Sequence, residues 1–138
     1  MGSDIIRKAL QDKRTVLTEI ESKQLMSEAS IPIIESRLAS TKAEAGVISK
    51  EIGFPVVMKI VSPDIIRKNA SGGVRLGLGN ATQVGKAYTE IMEAARRTNP
   101  EARIYGVSVQ RMAKPGVEVI MGMASRVGFE PTQKVTIK

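Results

Sequence analysis

Cysteine, histidine and tryptophan are absent from the 138-residue sequence, and its aromatic residues are limited to two Phe and two Tyr. Without cysteine the chain cannot form disulfides, thiolate nucleophiles or Cys-based metal sites, which is compatible with a reducing cytoplasm. Without histidine it lacks the commonest general base near neutral pH, the usual transition-metal ligand and any phosphohistidine. Because so few aromatic residues are available, the core must be built from aliphatic side chains.

Long apolar runs are also missing. No stretch approaches the ~20 residues that span a bilayer, and the N-terminus lacks the apolar region of a signal peptide, so we expect a cytoplasmic protein without membrane association. Lys and Arg outnumber Asp and Glu by 21 to 14, for a net charge of +7. This excess favours an anionic partner such as a nucleotide, CoA, nucleic acid or an acidic subunit. Nucleic acid is the least favoured of these, because the basic residues are scattered and few aromatics can stack on bases.

Capping residues, turns and apolar periodicity predict an α+β domain with a mostly antiparallel sheet and flanking helices. Capping boxes are expected at Thr18–Glu21 and at Asn80–Gln83. The predicted helices start at Asp4, span 18–29, span 41–52 after a Ser40 cap, and run from the Asn80 cap to 97. The predicted strands are 33–38, 55–61, 74–78, 103–112, 117–123 and 135–137, with a hairpin turn at 114–116.

Lys59 interrupts the apolar strand 55–61 and needs an explanation. An ammonium buried without a partner costs several kcal/mol, so this side chain must reach solvent or meet an anion, and a phosphate would satisfy it. Taken alone, a solvent-facing lysine on a half-buried strand is the more common case. Gly72 and Gly73 follow in a polar segment, where glycine lets backbone N–H groups approach phosphate oxygens, although a Gly-Gly pair is more often an ordinary turn.

Five segments resemble, in order and spacing, the ATP-grasp subunit or domain of ADP-forming acetyl-CoA and acyl-CoA synthetases. They are LTEIESKQLMSEASIPI, EIGFPVVMKIVSPDIIRK, GGVRLGL, NPEARIYGVSVQRM and PGVEVIMG. The resemblance extends from about Leu17 to Gly122 and implies an ATP-grasp first lobe at 17–124. An N-terminal amphipathic helix at 1–16 precedes that lobe, and a truncated or divergent tail at 125–138 follows it.

The resemblance also implies a phosphate site. Lys59 matches the family lysine that contacts nucleotide phosphates, and Gly72 and Gly73 match the loop that covers them. Glu118 matches an acidic residue near the ribose and this lysine, although a solvated strand carboxylate is nearly as good an interpretation.

An adenine site is implied next to it, at the hinge between the two lobes. There backbone groups bond the adenine edge and apolar side chains sandwich the ring, and the matching residues are Val109, Gln110, Arg111 and Met112. If the resemblance holds, the strands carrying Lys59 and Gln110 are neighbours, both side chains face one ligand, and the Gly72–Gly73 loop arches over the same pocket.

The sequence departs from the family pattern at the hinge, where Arg111 replaces a glutamate, and in the segment before the glycines, which reads RKNA and not HKSD or HKTD. Arg67 stands in place of the histidine and cannot accept a phosphoryl group, and Ala70 replaces the aspartate. The sequence also ends at Lys138, where the second lobe is expected to begin. Because that lobe holds Mg²⁺ against the phosphates, we expect the metal ligands outside this sequence.

The implied function is that of the nucleotide-binding lobe of an ADP-forming acetate–CoA or acyl–CoA ligase. Its ligand would be ATP or ADP. It would form acyl-CoA from acid, CoA and ATP only with a second lobe and a CoA-binding subunit or domain, and an exposed lobe face would permit a homo-oligomer. The alternative is a degenerate, non-catalytic module that binds nucleotide or another protein. A third hypothesis, a basic nucleic-acid-binding domain, rests on charge alone. The sequence does not indicate which acid is used.

Overall fold

The structure is a computed structural model that describes residues 2–65, 72–124 and 132–137. Its helices are α1 (Gly2–Gln11), α2 (Glu19–Glu28), α3 (Lys42–Ile52) and α4 (Ala81–Thr98). Its strands are β1 (Ser36–Ala39), β2 (Val56–Val61), β3 (Val74–Leu78), β4 (Gly106–Arg111), β5 (Val119–Ala124) and β6 (Thr132–Ile137). No helix in the described ranges is long and apolar enough to cross a membrane.

Four strands form one antiparallel sheet in the order β1-β4-β2-β3, while β5 and β6 pair separately. The predicted α+β class, with an antiparallel sheet and flanking helices, is confirmed. The predicted strand 74–78 is reproduced as β3, and the last predicted strand lies within β6. β1 and β4 are shorter than predicted: each starts three residues later, at Ser36 and Gly106.

The main core lies between this sheet and helices α3 and α4. Alternate residues of β2 and β4 point into it, and Met58, Ile60 and Val109 are 0% exposed. Ile48 of α3 and Ile91 of α4 pack against the same cluster. Burying a side chain of this size contributes about 1.5–3 kcal/mol, so this one face of the sheet accounts for much of the driving force for folding.

Three predicted helix starts differ in detail. α1 begins at Gly2, so Asp4 lies in its first turn, where a carboxylate favours the helix dipole, and does not cap it. Thr41, and not Ser40, caps α3 by accepting a bond from the Glu44 N–H. Asn80 caps α4 as predicted, but the Gln83 side chain accepts from the Gly79 N–H, so the reciprocal bond of a capping box is displaced by one residue. The box at Thr18 is complete, as predicted.

The predicted hairpin between β4 and β5 is wrong. β4 lies in the middle of the four-stranded sheet, with β1 on one side and β2 on the other, so both of its edges are already paired. β5 pairs with β6 instead, with Val119 opposite Ile137. The turn residues at 114–116 therefore lead the chain out of the main sheet.

Candidate functional site

The four-stranded sheet has a second face, which we call the polar face and define by Ser36, Lys59, Ser108 and Gln110. Residues directly opposite one another on antiparallel strands share a face. Lys59 lies opposite Ser108, while Gln110 lies opposite Val57 on one side and Ser36 on the other. The expectation that Lys59 and Gln110 occupy neighbouring strands and one face is confirmed.

Lys59 does not simply extend into solvent. Its Nζ donates a hydrogen bond to Glu19 Oε1 at 2.8 Å, and the two side chains are 25% and 22% exposed. Glu19 is the first residue of α2, so the helix start supplies the counter-ion. Glu19 was not a candidate from the sequence, although an acidic residue directly after an N-cap is a recognisable signal.

Lys23 fastens α2 to the sheet. One turn after Glu19, its ammonium donates to Ile34 O at 2.9 Å, Ser36 Oγ at 2.6 Å and Gln110 Oε1 at 2.7 Å. Ser36 Oγ also donates to Gln110 Oε1 at 3.0 Å. Because an ammonium can only donate, the oxygen of the Gln110 amide must face Lys23, which leaves the amide nitrogen on the other side. Lys23 was not a candidate from the sequence.

The four predicted hinge residues separate into two pairs. Val109 is fully buried in the core, and both Val109 and Gln110 pair with β1 and β2, so their backbone groups point at neighbouring strands. Their backbone cannot also bond an adenine edge while this pairing persists. Arg111 and Met112 lie beyond the last β1 pair, and Met112 is 40% exposed. On the β2 side Arg111 still pairs with Val56, and the Met112 N–H donates to Pro55 O at 3.2 Å.

Arg111 and Met112 line an open cleft of about 630 Å³ at the end of β4. An Arg111 Nη donates to Ile52 O, at the end of α3, at 3.2 Å. Arg37 and Glu51, which also line the cleft, form an ion pair with an N–O distance of 2.6 Å. The remaining lining is mostly apolar, with Ile33, Ile34, Glu35, Ala113 and Lys114. The cleft can accept a flat apolar ring with polar groups at its rim.

Gly72 has a structural reason to be glycine. Gly72 has φ +72°, and a Cβ placed on it would lie 3.2 Å from Ala94 Cβ on α4. The Gly73 carbonyl accepts a bond from the Ile60 N–H at 2.7 Å. Gly72 therefore packs towards α4, and the arch predicted for Gly72 and Gly73 stays a prediction. The segment that leads into them, residues 66–71, lies outside the described part of the chain and includes Arg67 and Ala70.

Glu118 lies in the exposed segment between β4 and β5. The carboxylate that meets Lys59 is Glu19, so the structure does not bring Glu118 into this contact. Within residues 2–65, 72–124 and 132–137, no group of three or more acidic side chains is arranged to hold a metal ion. The side chains of these residues therefore offer no ligand set that fits a metal ion.

A buried ion pair anchors the start of α2. Both Nη atoms of Arg14 bind the Glu21 carboxylate, at 2.8 and 2.9 Å, and Arg14 is 6% exposed. The Arg14 guanidinium and the Thr18 N–H hold the pKa of Glu21 at about 2, well below its ordinary value. Both groups thus stay charged near neutral pH, and this pair was not foreseen from the sequence.

A family comparison agrees with this geometry. Residues 8–132 match the ATP-grasp domain family. The chain belongs to the ATP-grasp family. This lobe is 42% identical over 128 residues to the acetate–CoA ligase (ADP-forming) I subunit beta of Pyrococcus furiosus, covering 93% of the chain and 55% of that protein. It is thus homologous to the ATP-grasp region of ADP-forming acetyl-CoA synthetases and spans little more than half the length of this curated relative.

Solved structures of similar proteins have the same ATP-grasp architecture. Acetyl-coenzyme A synthetase 1 of Candidatus Korarchaeum cryptofilum, in complex with coenzyme A and Ca-AMPCP, has a TM-score of 0.94 and 42% identity, over 99% of this chain and 60% of that one. Another structure of that synthetase, with coenzyme A and Mg-AMPPCP, has a TM-score of 0.77 and 38% identity, over 99% of this chain and 57% of that one. Nucleotide analogues are therefore present in structures of relatives.

Proposed function

We propose that this chain is the nucleotide-facing lobe of an ADP-forming acetate–CoA or acyl–CoA ligase. With a second lobe and a CoA-binding subunit or domain, it would form acyl-CoA from an acid, CoA and ATP. The proposed compartment is the cytoplasm. The observation that carries the proposal is the placement of Lys59 and Gln110 on one face of neighbouring strands, in a chain similar to synthetases solved with Ca-AMPCP and Mg-AMPPCP.

Lys59 is the proposed phosphate contact. Its ammonium is 25% exposed, so an anion can reach it, and a charge-assisted bond to phosphate is among the stronger hydrogen bonds available. Among the described residues its one hydrogen-bond partner is Glu19. An ammonium has three N–H donors, so two remain for phosphate oxygens without breaking this ion pair.

Arg111 and Met112 are the proposed adenine contacts, because both line the cleft and neither pairs with β1. Gln110 directly precedes them on β4, and its side chain lies on the polar face with that of Lys59. For Val109, Gly72 and Gly73 the proposed role is to support the site through packing and sheet pairing. Glu118 stays a proposed ribose-side carboxylate, to be supplied from the segment before β5.

A degenerate, non-catalytic nucleotide-binding or protein-interaction module is the second candidate. The observation that favours it is the pair of replacements in the phosphate segment, Arg67 and Ala70, which remove a phosphoryl acceptor and a carboxylate. A ligase lobe and a nucleotide-binding module share the nucleotide contact at Lys59, whereas a protein-interaction module does not require it. The two candidates differ in whether adding the missing parts of a synthetase restores acyl-CoA formation.

Calorimetry on the purified chain tests the shared nucleotide contact. We expect ATP to bind with a Kd in the high micromolar to millimolar range, about −4 to −6 kcal/mol, because one lobe cannot close over its ligand. Lys59→Ala should weaken the binding of ATP by about 1–3 kcal/mol and leave the binding of adenosine unchanged. Lys50→Ala is the matched control, since it removes the same charge from an exposed position on α3.

Inorganic triphosphate distinguishes a specific nucleotide site from non-specific electrostatic attraction. If triphosphate competes as well as ATP, and Lys59→Ala binds both as the wild type does, the proposed nucleotide site is rejected. The chain alone should form no acyl-CoA from ATP, Mg²⁺, CoA and acetate. Turnover by the chain that is absent from the Lys59→Ala variant would contradict the proposed dependence on a second lobe and a partner.

A further inference from the structure

We propose that Glu19 is a positioning residue, which holds the Lys59 ammonium on the polar face so that its remaining N–H groups meet phosphate. This inference rests on the proposed nucleotide site. It has a counter-intuitive consequence, because Glu19 is negatively charged and phosphate is too. If positioning dominates, removing the Glu19 carboxylate and its hydrogen bond to Lys59 weakens phosphate binding, although a negative charge is removed with it.

The contact itself is short and well placed. Lys59 Nζ lies 2.8 Å from Glu19 Oε1, whereas Lys23 Nζ lies 3.6 Å from the same oxygen. Lys23 donates to three other acceptors, so its ammonium is committed to fastening α2 to the sheet. Of these two ammonium groups, the one nearer to Glu19 is that of Lys59, the cation proposed to meet the ligand.

Glu19 is held by a rigid support. Thr18 caps α2, and its side chain and backbone form a reciprocal capping box with Glu21. Arg14, which is 6% exposed, binds both oxygens of Glu21, and Lys23 fastens the next turn to β1 and β4. A carboxylate fixed in this way loses little freedom when it holds a lysine.

Lysine is the side chain that gains most from such support. Its flexible four-carbon stem has large rotamer entropy, which is lost when the ammonium is fixed on a ligand. A bond to Glu19 fixes the stem before the ligand arrives, and this lowers the entropic cost of binding. Long-range repulsion between Glu19 and phosphate acts against this benefit, and the nearby Lys23 charge partly offsets that repulsion.

Two substitutions separate position from charge. Glu19→Gln retains an oxygen that accepts from Lys59 but removes the charge, whereas Glu19→Ala removes both. We expect Glu19→Ala to bind ATP about fivefold more weakly than the wild type, and Glu19→Gln to bind it within about twofold or more tightly. Adenosine should bind all three proteins alike, because it has no phosphate to meet Lys59.

Glu28→Ala is the matched control for charge, since it removes a carboxylate from the other end of α2. It should leave ATP binding within about twofold of the wild type. Circular dichroism melts of each variant check that α2 and the sheet remain folded.

Each other outcome overturns the proposal. ATP binding to Glu19→Ala that equals or exceeds the wild type would make Glu19 a mere counter-ion that competes with phosphate. Equal losses in the Ala and Gln variants would show that the retained acceptor does not matter, and an equal loss for adenosine would indicate a general structural role. If Lys59→Ala also binds ATP as the wild type does, the proposed nucleotide site is rejected. If Lys59→Ala weakens ATP binding and the Glu19 variants do not, the nucleotide site stands and the proposed role of Glu19 is rejected.

Discussion

The two faces of β2 differ sharply although they belong to one six-residue strand. On one face Val56, Met58 and Ile60 are 0% exposed and pack beneath α3 and α4. On the other face Lys59 reaches an ion pair and remains 25% exposed. Because side chains alternate along a strand, stability and ligand chemistry can be separated between adjacent residues. Substitutions of these core residues should therefore change folding, and a substitution of Lys59 should change binding.

Ile60→Ala should have the largest effect on stability. Ile60 is fully buried in the core cluster, and cutting it back leaves a cavity that neighbouring side chains fill only in part. We expect a loss of about 4 kcal/mol in the free energy of unfolding, measured by urea denaturation.

Val117→Ala is the matched control for Ile60→Ala, because Val117 is 79% exposed. It should change the free energy of unfolding by less than about 0.5 kcal/mol. Similar losses in both variants would mean that the division of the chain into a buried core face and exposed segments is wrong.

Arg14→Met should have the next largest effect, although Arg14 lies outside the core cluster. The substitution leaves Glu21 without its guanidinium partner, and removing one member of a buried pair costs about 3 kcal/mol. Urea denaturation near neutral pH measures this loss. A variant as stable as the wild type would show that the ion pair only offsets its own desolvation.

The pH dependence of the same variant gives a second test. The pKa of Glu21 is about 2 in the folded chain, against an ordinary value of 4.5, so the folded state binds fewer protons than the unfolded state between these values. The stabilisation by this pair is therefore complete above about pH 5 and declines as the pH falls towards 2. The stability difference between wild type and Arg14→Met should narrow over that range.

Asp64 supplies the internal control for this titration. Its pKa is also about 2, because Arg103 binds it through side chain and backbone, and this contact is unaltered in Arg14→Met. Both proteins should therefore lose the Asp64 contribution together as the pH falls. A stability difference that stays constant with pH would contradict the assignment to Glu21.

Local patterns in the sequence predicted most of the fold. β2, β3 and the helices were found because apolar periodicity and caps such as Thr18 and Asn80 act within a few residues. The predicted β4–β5 hairpin was wrong because strand pairing depends on residues that are far apart in the sequence. Turn residues after β4 indicate that the chain reverses, but only the whole sheet shows that β1 and β2 already occupy both edges of β4.

About half of the residues in the candidate site were predicted from the sequence. Lys59 stood out because it interrupts an apolar strand, and resemblance added Gln110. Glu19 and Lys23 were missed because α2 has no buried residue and little apolar pattern, so nothing local shows which of its charges face the sheet. Their importance depends on contacts across long sequence separations, such as Lys23 with Gln110, which composition and periodicity cannot predict.

Apart from the Val117→Ala control, Lys59→Met should have the smallest effect on stability, and it sharpens the contrast between the faces. Methionine keeps an apolar stem of similar length on β2, while Glu19 remains partly exposed and retains Lys23 at 3.6 Å. Partly exposed ion pairs contribute little, so the free energy of unfolding should fall by less than about 1 kcal/mol. The same protein should lose the preference for ATP over adenosine, because the cation that meets phosphate is gone. Urea denaturation and calorimetry on one preparation measure both quantities. A large loss of stability would mean that Lys59 serves the fold, and the strand would then not divide its two tasks between its faces.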